Sequence, residues 1–385
     1  MKFRFSEIPH RKIRRGRISD IPRLPGVTLE TPLLLLNTKG GSIPHITHEV
    51  FQFLTREQHG IQISLPSSVH CFEGVKDFEK GISNFVGLQE CVSYCSVQDP
   101  STNTPEGYNG KNSISIWSNS GRMSLDANRY MDLMEAFRPD MYQALCHGDT
   151  NINSKKKKIK KAVDITAFLL DECLARHNKS EVLQSSAIFG VVEGGYDLDA
   201  RRLSAKLLAE RKVDGFVIDG LHNNGSSLDS INIDNVRPVI EETLKSLPED
   251  KLRIIHGSWK PNYVLDLVEM GIDVFDSSLA EIVTERNSAL VFRYELVPID
   301  SIDRPGLERF EISLQDESFK EDFGPILEGC TCLTCRKHTK AYIYHLISNK
   351  ELLASVLIMM HNLHHYIEFF KKIRSIPENK KLEII

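Results

Sequence analysis

Apolar runs of four to seven residues recur along the chain, and amphipathic stretches separate many of them. The runs fall at residues 33–38, 62–65, 91–96, 141–147, 187–193, 215–220, 253–257 and 273–278. Helical periodicity fills residues 159–176, 200–211, 235–246 and 262–270. Strands that alternate with helices in this way form βαβ units, which build a parallel sheet. Eight of them in one chain predict an α/β fold, a closed (β/α)₈ barrel of the TIM type. A short pair near residues 113–118 reads as an insertion. After the last strand the pattern changes to a Cys-rich loop and a helix-like apolar stretch. The expected organisation is a barrel with insertions over residues 1–325 and an appended subdomain over 326–385, packed on it.

Composition narrows this picture only a little. The chain has 385 residues, 41% hydrophobic and 26% charged, which is ordinary for a globular protein and ample for one barrel or two smaller domains. A formal net charge of −4 excludes a molecule-wide electrostatic grip on nucleic acid, so any RNA contact needs a local basic patch. Two runs could offer one: residues 11–17, and Lys155–Lys158 with Lys160 and Lys161. The plainer expectation is a solvated N-terminal edge for the first and a solvated helix start for the second. Eight cysteines at this length do not make a disulfide scaffold. Met1-Lys2-Phe3-Arg4 leads into polar and basic residues rather than an apolar leader, and no apolar run reaches membrane-spanning length. A reducing, cytosolic setting is the expectation. No repeat of solenoid period is present in the sequence.

The densest chemistry lies near the C-terminus, in Gly329-Cys330-Thr331-Cys332-Leu333-Thr334-Cys335. Free thiols, or one disulfide and a spare cysteine, would be the bland reading. Three thiolates joined by one imidazole make a Cys₃His set, which suits tetrahedral zinc and leaves no open position for water. The chemistry therefore favours a structural ion that ties the loop to the helix behind it. Chemistry alone leaves the imidazole open among His338, His345, His361, His364 and His365.

A barrel does its chemistry at the C-terminal ends of its strands. The carboxylates available there are Glu193, Asp219 and Asp276. An Asp can attack a sugar C1′ and displace a base, with a second group carrying the proton. Cys146 and His147 are set aside as a nucleophile–base pair, because neighbours on a strand face opposite ways.

The C-x-C-x-x-C pattern, followed by His361-Asn362-Leu363-x-x-Tyr366, resembles the metal site of the tRNA-guanine/queuine transglycosylases. That resemblance implies Cys330, Cys332, Cys335 and His361 as ligands of one structural Zn²⁺. It extends along nearly the whole chain. Residues 31–38 resemble the family's first barrel strand, residues 189–195 its Gly-Ile-Val-Gln-Gly-Gly stretch, and residues 271–276 the segment that ends in the nucleophilic Asp, here Asp276. The departures point the other way. Cys95-Ser96-Val97-Gln98 stands where catalytic members carry Asp-Ser-Gly-Gly, whose Asp is the general acid/base. Cys146 stands where they hold the Asp that binds the incoming base, and Glu193 replaces the Gln. A thiol cannot make a carboxylate's paired hydrogen bonds to a purine edge.

A kept metal set with a lost pocket resembles the non-catalytic branch of the family. Trp117-Ser118-Asn119-Ser120-Gly121-Arg122-Met123 and Arg138-Pro139-Asp140 are similar to it too. The resemblance implies no catalytic residue in this chain. It implies a heterodimer with a catalytic subunit that exchanges guanine for queuine at wobble position 34 of tRNAs with GUN anticodons (Asp, Asn, His, Tyr). It also implies contact with tRNA and a cytoplasmic place, with peripheral attachment to the mitochondrial outer membrane. A homodimer is the other pairing the family allows. Two alternatives stand beside this. A self-sufficient ribosyltransferase would use Asp276 with Glu193 as acid. A zinc hydrolase would need an open metal position, which four protein ligands deny.

Overall fold

Residues 33–36 are four consecutive leucines, and all four are buried. Only a strand covered on both faces can use such a run. The computed structural model provides that setting; it describes residues 1–7, 13–55, 57–301 and 310–385. Eight parallel strands close on themselves: β1 (Leu33–Thr38), β2 (Gly60–Ser64), β3 (Val92–Ser96), β4 (Met141–Gln143), β5 (Ala187–Val192), β6 (Gly215–Ile218), β7 (Leu252–Ile255) and β8 (Val274–Asp276). Closure is made by β8 against β1, with Val274 opposite Leu33 and Asp276 opposite Leu35. The expected (β/α)₈ barrel is present, and each expected run supplies one strand.

Alternation splits most strands between two cores. Leu33, Leu35, Val92, Tyr94, Phe189, Val191, Ile254 and Val274 belong to one cluster, which fills the lumen. Leu34, Leu36, Cys95, Ile188, Val192 and Ile255 belong to the second, shared with the surrounding helices. Those helices include α1 (Lys156–His177), α2 (Leu198–Ala209), α3 (Ile233–Leu244), α4 (Pro261–Met270) and α5 (Ser278–Glu285). The expected insertion is an antiparallel hairpin of Ile114–Ser118 and Gly121–Leu125.

Three differences from the sequence expectation have physical causes. The run 141–147 is strand only to Gln143; beyond it the backbone leaves the ladder, and the Gly148 N–H donates to the Glu193 carboxylate instead (2.8 Å). The N-terminus forms an antiparallel sheet of Lys2–Glu7, Arg14–Ser19 and Leu29–Thr31, which sends Ile18, Ile21 and Leu29 into the lumen core. The basic run is therefore only partly a solvated edge. Arg11 and Lys12 lie outside the described residues. Arg14 is buried 3.4 Å from the buried Asp273, Arg15 donates to the Ile376 carbonyl, and Arg17 is exposed.

The C-terminal part carries α6 (Lys340–Ser348) and α7 (Leu352–Arg374). A small core joins Ala289, Leu314, Ile326, Ile343, Leu346, Leu357 and Ile358. Further along α7, Leu363, Tyr366, Phe369 and Phe370 enter the main core, so the one helix serves both. The final strand, Lys380–Ile384, pairs with Tyr294–Pro298. Among the described residues no helix is long and apolar enough to cross a membrane.

Candidate metal centre and barrel mouth

Cys332 caps the short helix Leu333–Lys337: its Sγ accepts the Cys335 N–H at 3.2 Å. That turn places three sulfurs together, and α7 brings one ring to them. His361 Nδ1 lies 3.8, 3.6 and 3.3 Å from the Sγ atoms of Cys330, Cys332 and Cys335. Metal–sulfur and metal–nitrogen bonds of about 2.3 and 2.0–2.1 Å at tetrahedral angles give edges of about 3.6 Å. The four donors lie within 4.8 Å of one another, and they could hold a metal ion.

The far side of the ring fixes the tautomer. His361 Nε2–H donates to the Leu290 carbonyl at 2.8 Å, which turns the Nδ1 lone pair toward the sulfurs. Hydrogen bonds among the three sulfurs push the Cys330 thiol well below its ordinary value and the Cys332 thiol well above it. Among the described residues the other histidines do not join the cluster. His365 bonds the Phe292 carbonyl (3.0 Å), His364 pairs with Thr331 (3.2 Å), His338 stacks on Tyr342, and His345 bonds Asn349. Asn362 went unremarked in the sequence beyond its place in the motif. It is fully buried, accepts the Leu290 N–H (2.8 Å), and donates to Thr284 Oγ1 and the Ser288 carbonyl (2.9 and 3.1 Å). A polar side chain on the buried face of an apolar helix was the available signal.

At the other site, β8 delivers Asp276 to the barrel mouth, where it is 1% exposed. Its two carboxylate oxygens accept the backbone N–H groups of Gly257 (2.7 Å) and Ser278 (2.9 Å). Glu193 and Asp219 lie apart from it, grouped with Cys146. Glu193 accepts from the Gly148 N–H and from Thr150 Oγ1 (2.8 and 2.9 Å). Burial, reinforced by the Asp219 charge, raises its carboxyl to about 7. Burial and the same Asp219 hold the Cys146 thiol protonated. Tyr94 and His256 rings meet edge to face 5.5 Å apart in the same pit.

Residues 99–110 have neither helix nor strand, yet they run across this mouth. Pro100 accepts the Gly225 N–H (3.0 Å), and Ser101 donates to Glu281 (3.0 Å). The Thr104 N–H reaches the Asn223 carbonyl (2.7 Å), the Gly107 N–H reaches Asp149 (2.8 Å), and Asn109 reaches the His147 carbonyl (2.7 Å). Glu106 collects Asn151, Asn223 and Lys158. The loops after β4 and β6 and helix α5 are thus tied to one strap. Glu281 also holds Lys39 and Asn37. No hydrophobic period marks such a segment, so the sequence pattern did not show it.

A family model described as queuine tRNA-ribosyltransferase matches residues 11–384. The chain belongs to the queuine tRNA-ribosyltransferase family. It is 40% identical over 376 residues to the queuine tRNA-ribosyltransferase accessory subunit 2 of Aedes aegypti, covering 97% of this chain and 88% of that protein. It is 40% identical over 383 residues to the protein of the same description from Ixodes scapularis, covering 96% of each. The Gallus gallus relative of that description is 36% identical over 399 residues, covering 96% of this chain and 92% of its own. This family member carries Asp276 at its barrel mouth, a Cys₃His cluster near its C-terminus, and a thiol, Cys146, beside Glu193 and Asp219.

Proposed function

We propose that this chain is the non-catalytic accessory subunit of a heterodimeric queuine tRNA-ribosyltransferase. It pairs with a catalytic subunit, helps hold the tRNA, and supports exchange of guanine for queuine at position 34 of tRNAs with GUN anticodons. The observation that carries the reading is the mouth itself: Asp276 is buried and held by two backbone N–H groups, on the end of the barrel where the strap is bonded to the surrounding loops. A nucleophile must meet its sugar, and a base needs a cavity with matching polar groups. The same description on several relatives supports the accessory role.

The Cys₃His cluster holds one structural Zn²⁺, with Cys330, Cys332, Cys335 and His361 as its ligands. The donor set and the ring orientation support this. The ion fastens the unit at 326–385 to the barrel, near the surface where the two subunits meet. The assembly works in the cytoplasm, with peripheral attachment to the mitochondrial outer membrane as the resemblance implies.

A second reading has one observation in its favour. Glu193, raised to about 7, has the acidity of a general acid at neutral pH. Both of its oxygens are already occupied by Gly148 and Thr150, however. Mixing the purified chain with its catalytic partner decides between the two: the accessory reading expects base exchange only in the mixture, and exchange by the lone chain would establish the other.

A further inference from the structure

Helix α1 begins against its own dipole. Lys155 stands at its N-cap with no side-chain bond to the first turn, and no acidic residue follows in that turn. Cations at a helix N-terminus are unfavourable. Some other helices use favourable caps: Asp126 caps Ala127–Phe137, Asp197 caps α2, and Asn232 caps α3 with Asp234 in its first turn; α4 starts like α1, behind Lys260, but with a proline rather than a run of lysines after it. Lys155, Lys156, Lys157, Lys160 and Lys161 are all exposed. None of them has an ion-pair partner among the described residues, whereas Lys158 turns inward to Asp149 and Glu106 and anchors the strap. Lys156 and Lys160, like Lys157 and Lys161, are four residues apart, so the charges form neighbouring rows on one side of the helix. Because α1 follows β4, these rows stand on the rim of the barrel mouth. The concentration is local, since the whole chain is net −4.

We infer that this lysine face binds the phosphate backbone of the tRNA held by the heterodimer. The inference rests on the accessory reading above and adds to it the surface that meets the RNA. Phosphodiesters are closely spaced and always charged, and lysine meets them as a flexible point charge without reading sequence. An unpaired lysine cluster on an otherwise acidic molecule fits that ligand. It stands on the end of the barrel where Asp276 lies.

The test uses the assembled heterodimer and a labelled GUN-anticodon tRNA transcript. Binding is followed across about 50–200 mM salt, with wild-type chain or with Lys155, Lys156, Lys157, Lys160 and Lys161 all changed to Gln. Each phosphate contact contributes roughly 0.7–0.9 to the slope of log affinity against log salt. The expected result is a slope shallower by about two or more and a Kd raised about tenfold or more near physiological salt. A control with Lys179→Gln, Lys206→Gln and Lys212→Gln, away from the mouth, should shift the Kd less than about twofold. An unchanged slope, or an equal loss per charge in the control, overturns the inference. So does a result in which the five lysines govern binding to anionic lipid vesicles while tRNA binding is unaltered. Should the fivefold variant fail to fold, Lys156→Gln with Lys160→Gln carries the same test with a slope change of about one or more. Failure of the accessory reading is seen separately, as no heterodimer by sedimentation before any tRNA is added.

Discussion

Asn362→Ala removes the side chain that locks α7 to the chain segment beside the metal cluster. Three hydrogen bonds go at once. The Leu290 N–H is left without its partner in a site where Leu290 and Asn362 are both 0% exposed. An orphaned buried donor costs about 1–3 kcal/mol. The Ser288 carbonyl loses a donor too, whereas Thr284 Oγ1 keeps its bond to the Ala280 carbonyl (2.7 Å). With the small cavity left behind, the total is about 3 kcal/mol. Denaturant unfolding should report that loss at an unchanged m-value. Hydrogen exchange should show the Leu290 amide losing protection. The His361 ring is held by the Leu290 carbonyl, so metal affinity should fall roughly tenfold to a hundredfold as the segment loosens. A stability loss below about 1 kcal/mol, with the Leu290 amide still protected, would refute the reasoning that this amide depends on Asn362.

Other expectations follow from the same geometry. Cys332→Ser, or chelation of the ion, should open the unit around the small core at Ile343, Leu346 and Leu357 and weaken partner binding; exchange mass spectrometry should show it while the barrel strands stay protected. Glu193 is raised to about 7 from an ordinary 4.5, so between those values the unfolded chain has released a proton that the folded chain keeps. Stability should therefore fall as pH rises through that window and level off above it, by at most a few kcal/mol, and Glu193→Gln should flatten the profile. Asp273, raised to about 7 by burial against the pull of Arg14, acts in the same direction and should leave a residual slope in that variant. Asp276→Asn should cost stability, because an amide cannot accept both the Gly257 and Ser278 N–H groups, and should leave partner-dependent exchange in place.

The parts legible in the sequence were those with a period or a dense chemical signature. The eight strands appeared because each is buried on both faces, as residues 33–36 illustrate. Four candidate metal-binding positions could be named because three cysteines crowd six residues and one family spacing selects His361, and the structure brings those four donors together. Chemistry alone left five histidines open; in the fold His365 shares the face of His361 and likewise bonds a carbonyl through Nε2, but His361 is the one whose Nδ1 lies against all three sulfurs. The N-terminal sheet was missed because its two longer strands carry lysine and arginine rather than an apolar run, and one of these, Arg14, is buried against a distant Asp273. The strap escaped for a different reason. Ser101, Thr104, Glu106 and Asn109 act through long-range bonds that leave no local pattern, and these bonds tie the strap to the loops around the mouth.

The central claim is tested most directly by labelled guanine exchange into a GUN-anticodon tRNA, with the pure chain, the pure catalytic partner and the two together. The account predicts no exchange by this chain alone and full exchange in the mixture, including with Asp276→Asn. Exchange by the lone chain, abolished by Asp276→Asn, would contradict it and would mean that the strap opens to admit the anticodon.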